Sequence, residues 1–310
     1  MKILVTGSSS HLASVLLPLL CEQENFSKII GIDINKGNFT HPKFEEHLFD
    51  VRSIEIEKLF LDCHTVIHLA FVVLRSNLKA ERKNRDLIRD INVNGSINVF
   101  QSAINNQVKK IIHISSAAVY GAWPDNPPLM PETQNRKIMH GFSYAEDKNA
   151  VEDWLEDIAP RTETDIICLR PHVILGPKSQ PFLLTLLKQP FYPYLPNPQP
   201  FTQCVWEDDV ADAIVKSIFT DTSGAFNLAT EPAMPFKSMI QLTHKLCIPV
   251  PVNLLRFLHE KLWKLTSIGE EPGWLKGMSY SLAVDASKAK KELGWKPSLS
   301  TEECIKRLIK

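Results

Sequence analysis

A chain of 310 residues, 44% hydrophobic and 23% charged, is long enough for one large domain, or a domain with a smaller companion, around a sizeable core. Its 35 Lys and Arg balance 35 Asp and Glu with no one-sided charge block, which excludes a nucleic-acid partner and an anionic membrane surface. The N-terminus lacks a signal-peptide core, no apolar run reaches the ~20 residues of a membrane span, and the scattered cysteines show neither C-x-x-C nor zinc spacing. Buried free thiols, no metal and a cytoplasmic location are expected.

Residues 2–6 read as a short apolar strand that stops at Gly7. A polar turn leads into a helical run over 12–20, and 28–33 is a second strand ending in Asp33. Strand, glycine turn, helix and acid-terminated strand make a βαβ unit. A helix N-terminus after a tight turn offers unpaired N–H groups to a pyrophosphate. A carboxylate at the end of the second strand can bind both ribose hydroxyls and would repel a 2′-phosphate, so Asp33 argues for NAD over NADP. The usual pattern in this setting is T-G-x-x-G-x-x-G. Here only Gly7 is present, with Ser10 and Ala13 in the other two places. Ala13 still permits close packing of helix on strand, whereas Ser10 adds a side chain where the pyrophosphate would lie. The turn alone leaves cofactor binding open.

The alternation continues. Asp50-Val51 precedes a helical run to Phe60, and 65–70 is a strand. The polar stretch 74–86 reads as a loop feeding a helix over 91–100, and 110–115 is the next strand. This predicts an α/β fold: a Rossmann-type doubly wound parallel sheet with helices on both faces, binding ligands at the carboxyl ends of its strands. Beyond a Pro-rich loop at 124–131, a helix runs from Tyr144 to about Asp157, and 164–170 is a strand. The pattern then loosens. It holds a helix at 182–188, five prolines in 190–200, and a helix at 207–214 whose first-turn acids, Asp208 and Asp209, read as capping. A last strand at 225–228 and an amphipathic helix over 252–265 follow. The expected division is a dinucleotide-binding domain, 1–170 plus 201–228, and a smaller, mostly helical substrate-binding cap, 171–200 plus 229–310.

Tyr144 and Lys148, four apart, share one helix face. A phenol with a pKa near ~10 is a poor base at neutral pH, and a neighbouring ammonium favours the phenolate. The pair can therefore exchange protons with an alcohol or a carbonyl, although the same spacing also arises by chance in many helices.

The motif series Val5-Thr-Gly7, Gly31-Ile-Asp33, Asp50-Val51, His68-Leu-Ala70, Asn92-Val-Asn-Gly95, Ser115-Ser-Ala-Ala-Val-Tyr-Gly121, Tyr144-x-x-x-Lys148, Leu169-Arg-Pro171, Asp208-Asp-Val-Ala-Asp212 and Lys291-Glu-Leu-Gly-Trp-Lys-Pro297 resembles the extended short-chain dehydrogenase/reductases, most closely their NAD-dependent epimerase/dehydratase and UDP-glucose 4-epimerase-like subgroups. The resemblance covers nearly the whole chain. It implies an NAD-dependent epimerase or oxidoreductase with Tyr144 as acid/base, Lys148 holding the nicotinamide ribose and lowering the phenol's pKa, and Ser116 bonding the reacting oxygen. It further implies a pyrophosphate turn of Thr6, Gly7, Ser10, His11 and Leu12. Asp33 would take the adenosine ribose, and Asp50 with Val51 the adenine. Leu69, Ala70, Asn92, Ile114 and Ser115 would lie along the cofactor, with Pro171 and His172 near the nicotinamide. A homodimer is a further implication. Asn92 reads equally as backbone support or as part of a proton relay, and His68 as structural. Ala117 and Ala118 stand where sugar dehydratases of this family carry an acid pair, which argues against dehydration. Val173 and Thr202 replace an Asn and a basic residue that serve the nucleotide diphosphate. The substrate is thus a small molecule, with a nucleotide sugar and a less polar alcohol or ketone both open. A cofactor-sensing or partner-binding protein with little catalysis is the reading from another class.

Overall fold

The apolar runs that ended in a glycine, an acid or a proline form the strands of one sheet. The computed structural model describes residues 1–73, 84–177, 191–194, 196, 199–251, 257, 261 and 279–309. Seven strands are β1 (Lys2–Thr6), β2 (Lys28–Asp33), β3 (Phe44–Leu48), β4 (Thr65–His68), β5 (Lys110–Ile114), β6 (Asp165–Pro171) and β7 (Gly224–Leu228). All are parallel, in the order β3-β2-β1-β4-β5-β6-β7. The order reverses between β1 and β4, which opens a crevice at their carboxyl ends.

Both faces of the sheet are covered, as parallel sheets require. Ile3, Val5, Ile67, Ile112, Ile167 and Leu169 face the helices α1 (His11–Glu22) and Glu207–Phe219. Leu4, Ile32, Val66, Ile111 and Ile166 face α2 (Gly95–Asn105) and α3 (Ser143–Ile158). The strictly apolar alternation stops at the strand ends, where side chains reach the crevice.

Some elements differ from expectation. The run before Phe60 is a 3₁₀ helix, Ile54–Phe60, whose cap Ser53 accepts from the Glu55 N–H at 3.2 Å. β3 carries two glutamates and no apolar period, which an edge strand tolerates because one side stays in water. The helix holding Asn92 begins as Arg85–Arg89, widens to a π turn at Asp90–Asn94 and continues as α2. The side chain of Val51 lies against Gly95, where an added Cβ would meet it at 2.6 Å. Beyond β6, the described residues form short pairs: Val173–Leu175 with Cys204–Trp206, Phe201–Thr202 with Met234–Pro235, and Phe191–Tyr194 with Leu246–Pro249. A satellite core of Leu175, Cys204, Trp206, Cys304 and Ile305 joins them to the helix Thr301–Leu308. The expected helix at 182–188 and nearly all of that at 252–265 lie outside the described residues. The six cysteines are free, five of them buried.

Candidate active site

The crevice has two walls. The first is built by backbone. Gly7 ends β1 with φ of +71°, a left-handed conformation that favours glycine. A Cβ there would sit 2.6 Å from the Ala70 nitrogen, so the turn after β1 is pressed against the end of β4. Leu69 N–H donates to the Thr6 carbonyl at 3.1 Å, closing that contact. Ser10 is the N-cap of α1, and its hydroxyl accepts from the Ala13 N–H at 3.2 Å. The Ser10 side chain is therefore turned onto its own helix. The N–H groups of His11 and Leu12, in the first turn, have no intrahelical acceptor and point out of the helix end. The Asp33 carboxylate accepts the Ser9 N–H at 3.0 Å and the Asn35 N–H at 2.9 Å, which fixes it at the crevice rim.

Asp50 is turned toward Arg52. Arg52 grips both its oxygens, Nε to Oδ1 at 3.0 Å and Nη2 to Oδ2 at 2.5 Å, and this bond holds the Asp50 carboxyl below the usual carboxylate range. Thr6 joins a buried chain in which its hydroxyl lies 2.7 Å from His68 Nδ1, while His68 Nε2 lies 2.8 Å from the Ser96 hydroxyl. Burial, with Lys148 nearby, pushes the His68 pKa down to about 3, so the ring is neutral, as a structural histidine should be.

The second wall is built by buried side chains. Ser116, Tyr144 and Lys148 meet at the carboxyl end of β5. Ser116 caps the 3₁₀ helix Ala117–Tyr120 by accepting the Ala118 N–H at 3.1 Å, and its hydroxyl acts on the buried Tyr144 phenol. Burial raises the phenol pKa, and the Ser116 hydroxyl opposes that rise. Lys148 is 4% exposed and donates to the Ile114 carbonyl at 2.6 Å. Its ammonium lies 5.8 Å from the centre of the Tyr144 ring and 3.5 Å from that of Phe71. In this arrangement the Ser116 hydroxyl favours the phenolate form, and the Lys148 ammonium is bonded to the Ile114 carbonyl. Burial lowers the Lys148 pKa to about 7, with Glu152 and Asp147 opposing.

Behind this wall stands a layer of ion pairs. Glu152, one turn past Lys148, accepts the Ser115 hydroxyl and receives Arg170 Nε at 3.0 and 3.1 Å, with Arg170 Nη2 on Oε2 as well. Arg170 Nη1 donates to the Tyr120 hydroxyl at 2.8 Å, which in turn donates to Asn227. Asn92 spends its amide on both backbone groups of Val72, at 2.7 and 2.9 Å, and on Asp147 at 3.0 Å, which is the backbone-support reading of the two. His172, following Pro171, lies 3.0 Å from the Leu282 carbonyl, and burial lowers its pKa to about 4. Asp209, expected to cap its helix, instead accepts the Ser298 N–H at 3.0 Å. That helix has no side-chain cap because Trp206 stands at its N-cap.

Sequence reasoning passed over Phe71, Asp147 and Glu152, and took Arg170 only as part of the Leu169-Arg-Pro171 motif without giving it a role. Glu152 continues the four-residue spacing of Tyr144 and Lys148, a signal that was present. Phe71 carried no such signal, because its place over Lys148 depends on how β4 leaves the sheet. Among the described residues no group of side chains could hold a metal, and no helix is long and apolar enough to cross a membrane.

The site fits a dinucleotide on its own geometry. The positive-φ glycine brings the first turn of α1 to the crevice, two amides there face outward, and a fixed carboxylate ends β2.

A family model described as "NAD dependent epimerase/dehydratase family" matches residues 3–189. A relative described as a putative UDP-glucose 4-epimerase from Methanocaldococcus jannaschii is 26% identical over 321 residues, covering 99% of this chain and 97% of its own length. Among solved structures, UDP-glucose 4-epimerase from Thermotoga maritima with UDP-glucose matches at a TM-score of 0.77 and 21% identity, over 100% of this chain and 97% of that one. UDP-glucuronic acid 4-epimerase from Bacillus cereus, in complex with UDP-glucuronic acid and NAD, matches at 0.76 and 18% identity, over 100% and 98%. The two structures agree with the present one in fold.

Proposed function

The chain belongs to the NAD dependent epimerase/dehydratase family, and on that premise we propose that it is an NAD-dependent nucleotide-sugar epimerase. The observation that carries this reading is the Tyr144 phenol, buried beside the Ser116 hydroxyl and one helix turn from a buried Lys148, at the carboxyl edge of a dinucleotide-type sheet. NAD bound in the crevice would supply the acceptor and returning donor for a hydride on a sugar carbon. Asp33 orients the adenosine ribose, and the amides of His11 and Leu12 meet the pyrophosphate. Tyr144 takes the hydroxyl proton as the C–H bond breaks and returns it when the carbonyl is reduced from its other face. Ser116 holds the same oxygen through both half-reactions. Lys148 presents its ammonium to the nicotinamide ribose once it leaves the Ile114 carbonyl. Ala117 and Ala118 bring no acid or base, so elimination of water has no proton shuttle here. Residues 171–200 and 229–310 form the substrate-binding cap in this reading, and the assembly is a cytoplasmic homodimer.

The relatives named above direct the test to UDP-glucose deuterated at C4. With NAD⁺ present, the proposal expects UDP-galactose that retains the label, followed by NMR. UDP-glucose left unchanged while an apolar ketone is reduced would replace the proposal with a dehydrogenase. Absence of any NAD⁺ binding by calorimetry would replace it with a non-catalytic protein. Light scattering at working concentration checks the dimer, with a monomer as the contrary result.

A further inference from the structure

Between Tyr144 and Lys148 the motif holds a second buried charge. The Asp147 side chain is 1% exposed and its two oxygens serve four donors. Arg85 Nη1 reaches Oδ2 at 2.9 Å and Nη2 reaches Oδ1 at 2.6 Å. Arg89 Nη1 reaches Oδ1 at 2.9 Å, and Asn92 Nδ2 reaches Oδ2 at 3.0 Å. Arg85 also donates to the carbonyl of Ser143, the first residue of α3, at 3.4 Å. A bidentate guanidinium on a buried carboxylate is directional, and breaking one partner leaves the other charge stranded. The first turn of the helix that carries Tyr144 and Lys148 is thereby fastened to the helical stretch before α2.

We propose that Asp147 is a positioning residue for Tyr144 and Lys148: held by Arg85, Arg89 and Asn92, it fixes the start of the catalytic helix and keeps two guanidinium charges paired beside the Lys148 ammonium. The inference rests on the reading of Lys148 as a working member of the site. Several groups face that ammonium. From α3 they are Tyr144, Asp147 and Glu152, with His68 on β4, His113 on β5 and Cys168 on β6. Burial keeps His68 and His113 neutral and Cys168 a thiol. The carboxylates of Glu152 and Asp147 therefore carry the charge that favours protonated Lys148 from within this shell.

Two substitutions must then act in opposite directions. Asp147→Asn removes the negative charge shared by Arg85 and Arg89, with Glu146 at 3.9 Å still facing Arg85, and the lysine's titration moves down. Arg85→Met leaves more of the Asp147 charge uncompensated, and the titration moves up. A clamp with only a structural role would move both the same way. The first readout is NAD⁺ affinity by calorimetry across a pH series, where the alkaline loss of affinity follows Lys148. Expected shifts are about half a pH unit or more, downward for Asp147→Asn and upward for Arg85→Met. The second readout needs no cofactor: the melting temperature of each protein against pH, minus that of its Lys148→Met counterpart, begins to rise at the folded-state pKa of Lys148. Midpoints that split in opposite directions sustain the proposal even if NAD⁺ fails to bind, an outcome that would sink the functional reading alone. Midpoints that move together, or stay fixed in folded variants, overturn the proposal even where NAD⁺ binds. Should Asp147→Asn fail to fold, Arg85→Met is set against Arg85→Lys, which keeps the charge and loses the bidentate grip: an upward shift in Arg85→Met alone sustains the proposal, and equal shifts or none in the two overturn it.

Discussion

The two walls of the crevice are made differently. Around Gly7, Ser10 and Asp33 the fixed groups are main-chain amides and one glycine conformation, and a single carboxylate is oriented by two N–H donors. Around Tyr144 and Lys148 the fixed groups are side chains in a buried network of Ser115, Glu152, Arg170, Asp147 and Arg85. A wall of backbone can hold a ligand with Ser10 and Ala13 where glycine is usual, because the Ser10 hydroxyl is turned onto its own helix and the Ala13 methyl is buried in the core. A wall of paired charges sets protonation, and each member depends on the next. Substitutions should separate the two.

The largest effect is expected at the reacting proton. Tyr144→Phe should lower kcat by about 10²–10⁴-fold with little change in NAD⁺ affinity or melting temperature. Turnover that survives in that variant would remove the phenol from the chemistry. Next comes the charge layer. Glu152→Ala leaves Arg170 buried without its carboxylate, at a cost of roughly 3–5 kcal/mol by analogy with other broken buried pairs. Denaturant unfolding should show it, and a loss under 1 kcal/mol would mean that water reaches the pair. Gly7→Ala tests the backbone wall, where a positive φ and a 2.6 Å approach to Ala70 should cost about 1–3 kcal/mol and weaken NAD⁺ binding while leaving the pH profile in place.

The last contrast is in pH dependence. Lys148 has a folded-state pKa of about 7, below its unfolded value near 10.5. The unfolded chain therefore holds more protons between those values, and stability rises with pH across that window. Lys148→Met should remove this rise and be relatively most favourable on the acid side of the window, as melting curves at several pH values will show. A rise that persists in the variant would assign it to another group.

The backbone wall was largely legible in the sequence. Gly7, the polar turn and Asp33 follow from local pattern, since a strand that stops at glycine and a strand that stops at an acid are short-range signals. The Tyr144, Lys148 and Ser116 meeting was legible through motif order. The supporting charges were not, because Arg85 and Asp147 lie 62 residues apart and Glu152 and Ser115 lie 37 apart, with no local period to join them. Asp50 shows the reach of pattern: the family resemblance assigned it to the adenine, but no local pattern announced that Arg52, two residues on, holds both of its oxygens. β3 was missed for a related reason, since a charged edge strand has no apolar alternation to find.

The central claim, that both walls serve one reversible hydride transfer, is tested most directly by the C4-deuterated nucleotide sugar with wild-type protein and Tyr144→Phe side by side, NAD⁺ binding being confirmed for both. The account predicts a labelled epimer from the wild type and none from the variant. An epimer formed equally by the variant, or no epimer from NAD⁺-loaded wild type, would contradict it.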